Sequence, residues 1–238
     1  MPTPTVTPLP SDTGWQPVGI FEVRSLNVAL PPGTERVTVA RFDPAAAQVR
    51  VLYTPGEARP VSAWAAATGA PLVINAGYFT PEYYATGLLV SEGERYGVAY
   101  GDFAGMLAMT PGGDASVRWL REWPYDPAEP LRDAVQSFPI LVKPGGVMGF
   151  PADAGEGRIA RRTVVAQDTA GRLLLLVAPR GFFTLHTLAV WLTESDLDID
   201  IALNLDGGQS SGLWLPGASP PVQIDSRLAV PSVITVQP

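Results

Sequence analysis

The chain has 238 residues, 46% hydrophobic and 16% charged, enough apolar matter for a sizeable core and too much for a wholly disordered chain. A formal net charge of −7 argues against nucleic acid as a partner, because a phosphate backbone would be repelled at long range, but it does not forbid a small anion held by local arginines. With no cysteine and one histidine, His186, the chain has no disulfide, no thiolate or histidine-rich metal site and no cysteine nucleophile.

Residues 1–14 read as a Thr/Pro-rich linker ahead of one domain covering residues 15–238. The first ten hold four prolines and three threonines, so they form no helix and have little to bury. Such an extended spacer suits a segment that follows a signal or a lipid anchor, which places the protein outside the cytoplasm, secreted or on the cell envelope. No stretch approaches the roughly 20 apolar residues that cross a bilayer, so no integral membrane segment is expected.

Further along, Ser62 reads as the N-cap of a short Ala-rich helix over residues 63–68, with Gly69 as its stop. Residues 71–75 form a short buried strand. Long loops follow at 78–87 and 119–131, a length that is often functional. Residues 136–142 read as one strand entering a turn at 143–146. Strands at 163–167 and 173–178 are joined by a hairpin turn at 168–171. Thr184 caps a second helix over Leu185–Glu194, where Leu185, Leu188, Ala189 and Leu192 make one apolar face. Strands at 201–205, Leu213–Leu215 and 233–236 complete the reading. The fold class is α+β: a single sheet-rich domain, mixed or antiparallel, with two main packed helices.

The strongest local signal is the run 202–212. An apolar strand delivers Asp206 to its end. Gly207 and Gly208 then let the backbone turn and approach a ligand, and Ser210 and Ser211 add hydroxyls to an anion cradle. On residues alone, Asp206 is either such a functional acid or a turn aspartate capping its own loop. The same run contains G-x-S-x-G over 208–212. A nucleophile elbow needs a helix after the serine and a histidine later in the chain; here a strand follows and His186 precedes.

Other signals are weaker. Asn75 ends its strand with donors and acceptors that suit sugar hydroxyls, and Tyr78 offers an aromatic face for a sugar ring. Arg158, Arg161 and Arg162 can bind phosphate oxygens with a guanidinium fork. Positions 161 and 162 point to opposite faces of a strand, so at most one of the two enters a site. His186 faces away from the apolar stripe and reads as exposed or supporting.

Taken together, INAGYF at 74–79, GLLVSEGE at 87–94, QSFPILV at 136–142, RRTVVAQD at 161–168 with GRLLLLV at 171–177, TLHTLAVWL at 184–192 and ALNLDGGQSSGLWL at 202–215 resemble the phosphodiester glycosidase family, in that family's order. Ala76 and Gln209 stand where the family usually has glycine. The resemblance implies hydrolysis of a sugar-1-phosphodiester in cell-envelope or exopolysaccharide metabolism. It implies Asp206, Arg162 and Asn75 as catalytic residues, and Gly207, Gly208, Ser210, Gln136, Asp168 and Tyr78 as substrate-binding ones. The expected partner is a sugar-1-phosphodiester or glycan, and no cofactor is expected. Two alternatives stand beside this: a non-catalytic glycan-binding envelope module, and a phosphodiesterase using a divalent cation on Asp206, Asp168 and Asn75. Sugar, aglycone and oligomeric state carry no sequence signal.

Overall fold

Alternation of apolar and polar side chains builds the first part of the main sheet. In the computed structural model, which describes residues 10–101, 104–150 and 157–238, Phe21 and Val23 are buried while Glu22 and Arg24 turn the other way. Their strand, Phe21–Leu30, pairs along its length with Gly33–Phe42. Leu173–Phe183, Ala160–Asp168, Ile199–Asn204 and Ile140–Lys143 extend this ladder in that order, and the short strands Gln16–Val18 and Val147–Met148 close its edges, giving eight strands. A five-stranded sheet is centred on Asp133–Ser137, and another on Leu72–Asn75 between Leu213–Leu215 and Ser232–Gln237. Among the described residues every strand pairing is antiparallel, so the mixed arrangement is not adopted.

The three sheets turn their inner faces to a common core that includes Phe42, Ile74, Leu107, Val135, Val165 and Leu203. Each outer face has its own cover. Helix α1, Val61–Thr68, packs Val61, Trp64 and Ala65 on Val73 and Val233. Helix α2, Leu185–Glu194, packs Leu188, Ala189 and Leu192 on Val164, Ala166 and Leu174. The long loop after Trp119 covers the remaining face with Leu120, Tyr125 and Leu131, so its role is packing.

Three sequence expectations need correction. Ser62 is not an N-cap: helix α1 starts after Pro60, and the Ser62 hydroxyl and N–H both donate to the Asp225 carboxylate. The run 136–142 is not one strand. It breaks at Phe138-Pro139, where proline has no N–H for a ladder, and its halves Asp133–Ser137 and Ile140–Lys143 belong to different sheets. The linker does not reach residue 14: Thr13 N–H donates to Ser25 O at 3.0 Å, and Asp12 forms an ion pair with Arg24 at 2.6 Å. Residues 1–9 lie outside the described residues. The second helix forms as read, with Thr184 and Thr187 in a reciprocal capping box.

One buried carboxylate shapes the strand beside the site. Ala160 pairs with Phe183 but Arg162 pairs with Ala178, so residues 179–182 bulge out of the ladder. Glu35, fully buried, fills the bulge: its oxygens accept from the N–H groups of Arg180 (2.9 Å), Gly181 (2.8 Å) and Phe182 (3.0 Å), and of its neighbour Arg36 (3.1 Å). Glu35→Gln puts an amide donor against these donors. It is expected to lower stability by roughly 2–4 kcal/mol, read by urea denaturation.

Candidate active site

The strand Ile199–Asn204 places its end between two sheets. Leu205 N–H donates to Thr163 O at 2.9 Å, and Asp206 N–H to Ala76 O at 3.1 Å. Asn75 secures the turn from behind. Its Nδ2 donates to the main-chain oxygen of Asp206 at 2.7 Å, and its Oδ1 accepts from Thr163 Oγ1 at 2.9 Å and Gly212 N–H at 3.0 Å. Asn75 is buried and engaged at both ends of its amide, so it positions the loop. Gly207 is needed for the close approach, since a Cβ there would lie 2.8 Å from Arg161 O. Gly208 has φ +62°, which favours glycine.

Arg162, Asn204, Asp206 and Tyr78 gather on the other side. Val164 packs in the cluster under helix α2 and lies opposite Asn204, so Arg162, two residues earlier, and Asn204 share that face. Asn204 Nδ2 donates to the Tyr78 hydroxyl at 2.8 Å and to Phe138 O at 3.0 Å, and the Tyr78 hydroxyl donates to Phe138 O at 3.2 Å. Asn204 was not singled out from sequence. The signal was present: it stands two residues before Asp206, and strand alternation puts such residues on one face.

Burial pushes the Asp206 carboxyl up to about 6, against hydrogen bonds from the Ser210 hydroxyl and the Gly207 N–H that favour its charge. Burial also pushes the Tyr78 phenol up to about 12, helped by the Asp206 charge and opposed by Arg162 and Asn204. Tyr78 therefore feels both charges and stays a neutral hydroxyl. Desolvation lowers the Arg162 pKa, offset by Tyr78. Arg162 remains a cation, with Nε donating to Phe183 O at 3.1 Å and Nη2 to Arg158 O at 2.6 Å. It opens on a cavity of about 410 Å³ whose walls include Phe150, Arg158, Leu185, Gly208 and Gln209.

The remaining expected residues fall elsewhere or serve the frame. Ser210 is buried against Asp206. Gln136 binds the Tyr100 backbone, accepting from its N–H at 2.7 Å and donating to its oxygen at 2.9 Å, and so braces a loop. Asp168 does not join the site. It lies six positions along the strand from Arg162, about 20 Å, and its carboxylate closes its own hairpin turn through Ala170 N–H, Arg172 N–H and the Arg172 guanidinium. The cation set of Asp206, Asp168 and Asn75 is therefore not assembled, and no three His, Cys, Asp or Glu residues converge among the described residues. His186 faces Phe150 O at 3.3 Å, and Arg161 points to Asp225 O on the opposite side from Arg162. Residues 208–210 form a single 3-10 turn followed by the strand Leu213–Leu215, so no nucleophile elbow is present.

The phosphodiester glycosidase family model matches residues 68–237, which include the whole cluster. Among solved structures, the catalytic domain of zebrafish N-acetylglucosamine-1-phosphodiester alpha-N-acetylglucosaminidase, auto-inhibited by its pro-peptide, superposes with a TM-score of 0.72. It is 19% identical, over 96% of this chain and 86% of that one. A hypothetical protein from Synechocystis superposes with a TM-score of 0.63 at 17% identity, over 91% of this chain and 62% of that one. A Burkholderia pseudomallei protein described as exported gives 0.60 at 15%, over 88% and 76%. At these identities the likeness is one of fold. No curated protein matches the sequence.

The Asp206 environment has a consequence for stability. Its carboxyl titrates near 6 in the folded chain against an ordinary 3.8, so the folded chain holds a proton that the unfolded chain has released. Stability therefore falls as pH rises from about 4 to about 6, and the loss persists above that. Asp206→Asn removes the charge and is expected to stabilise the protein by roughly 1–3 kcal/mol at pH 7.5, with the gain vanishing near pH 4. Urea denaturation at the two pH values checks this.

Proposed function

Because the chain belongs to the phosphodiester glycosidase family, we propose that it hydrolyses a sugar-1-phosphodiester to a free sugar and a phosphomonoester. The bond from the anomeric carbon to the phosphate oxygen breaks. Water supplies the new hydroxyl, and its other proton goes to the released phosphate. One observation carries the reading: a part-buried carboxylate, pushed up to about 6, and a guanidinium both act on the same neutral phenol, and the guanidinium opens on a cavity.

The chemistry fits that pair. A phosphomonoester leaves the anomeric carbon far more readily than a sugar alkoxide, so strong general-acid help is less necessary. The site must stabilise charge on the departing phosphate and face the oxocarbenium-like carbon with a carboxylate. Arg162 serves the first need and Asp206 the second. Ionised Asp206 is costly in its buried setting, and a developing cation offsets that cost only as the transition state forms. No cofactor takes part. An extracytoplasmic setting, in envelope or exopolysaccharide metabolism, belongs to the same proposal. It is supported by the Thr/Pro tract and by a structural neighbour described as exported. No helix among the described residues is long and apolar enough to cross a membrane.

Turnover of an activated sugar-1-phosphodiester, with free sugar resolved from sugar phosphate, tests the reading. Because Asp206 acts ionised, kcat/KM is expected to rise through an apparent pKa near 6 and then level off. Asp206→Asn is expected to lower kcat by at least about 10²–10³. Arg162→Lys is expected to lower kcat as well, since an ammonium lacks the planar fork whose Nε and Nη2 hold Phe183 O and Arg158 O while a further N–H stays free to meet a phosphate. Activity should survive EDTA. Binding without turnover would instead leave a glycan-binding module, and an Asp206→Asn enzyme within a few-fold of the parent would sink the assignment.

A further inference from the structure

The cavity has two chemically different ends. One end of its wall is polar: Gly208 and Gln209, which follow Asp206 in the chain. Arg162 stands next, reached electrostatically from Tyr78 on one side and anchored to Phe183 O on the other. Beyond it the wall turns apolar. Phe150 and Leu185 are partly buried side chains packed on the cluster under helix α2, where Phe183 and Leu188 are fully covered, and both line the cavity beside Ala160. The edge of a hydrophobic core thus opens into the site. Two large exposed aliphatic residues adjoin the rim: Ile159 precedes Ala160, and Leu228 is tied to Gln209 by a 3.0 Å hydrogen bond from its N–H to the Gln209 oxygen. Among the described residues no carboxylate lines the cavity, and Arg158 adds a second positive charge.

A ligand matching this order has a polar end, an anion and an aliphatic end. We infer that the aglycone of the phosphodiester is an aliphatic chain, seated on Phe150, Ala160 and Leu185 with its phosphate at Arg162 and Arg158. This rests on the sugar-1-phosphodiester reading above. An aglycone that is itself a sugar would leave this wall without hydrogen-bonding partners for its hydroxyls and would desolvate them at a loss.

The test is a series of methyl, butyl and octyl phosphodiesters of one sugar. A fully buried methylene contributes a factor of about four, so even partial burial is expected to raise kcat/KM by about tenfold or more from methyl to octyl. Leu185→Ser and Phe150→Ser should each cut the octyl-to-methyl ratio several-fold. Circular dichroism confirms that the variants are folded, and Leu185→Ala replaces a serine variant that is not. A ratio near one, or a ratio that the variants leave unchanged, overturns the inference. If no member of the series is hydrolysed, the proposed function fails, and calorimetry with octyl phosphate against methyl phosphate still decides the aliphatic seat. Octyl phosphate binding about tenfold tighter or better supports it; equal affinities overturn it.

Discussion

The carboxamide of Asn75 ties together three segments that share no local sequence. It receives Thr163 from the eight-stranded sheet and the Gly212 N–H from the far side of the Gly-Gly turn, and it holds the Asp206 oxygen from its own five-stranded sheet. All of this lies in the buried seam where two sheets meet. Loss of the amide would strand three polar groups away from water, each at about 1–3 kcal/mol. The position of Asp206 follows from this seam, and so does the burial that sets its acidity. The acid is made unusual by the packing behind it, while its immediate hydrogen bonds pull the other way.

The two charges of the site are kept apart. Arg162 donates to main-chain oxygens, and Asp206 accepts from Ser210 and Gly207. No ion pair joins them among the described residues. A contact pair would neutralise both groups and leave little field for a ligand. Neutral dipoles fix each group in place and leave its charge directed at whatever enters. Tyr78, which feels both charges, adds a hydroxyl and no charge.

Much of this was legible from the chain because local rules agreed with the final packing. Helix α2 has its cap, its apolar face and its polar outer side in one contiguous stretch. The Asp168 turn closes on its own residues, which is why a local reading finds it, and also why that aspartate has nothing left to offer a ligand. Ser62 shows the opposite case. A serine ahead of an alanine run has the pattern of a cap, but its hydroxyl answers to Asp225, 163 positions away. The long hairpin of Phe21–Leu30 and Gly33–Phe42 was passed over although its first strand alternates. The functional face was half legible: Asp206 and Arg162 stand out through the motifs shared with the family, whereas the link from Asn204 through Tyr78 to Phe138 depends on which sheets become neighbours.

The bulge filled by Glu35 bears on how much of the chain the site requires. The family match starts at residue 68, yet Glu35 lies upstream of it and holds the backbone of residues 180–182, next to the carbonyl that anchors Arg162. The strand Gly33–Phe42 is also the ladder partner of Leu173–Phe183, and Gln48–Tyr53 that of Ser232–Gln237. A polypeptide trimmed to the matched span would carry every residue of the site and still lack two of the strands that hold it. It would expose raw sheet edges with unpaired main-chain groups, a template for self-association. The smallest piece able to hold the site is therefore set by the sheets, and it is longer than the stretch by which relatives are recognised.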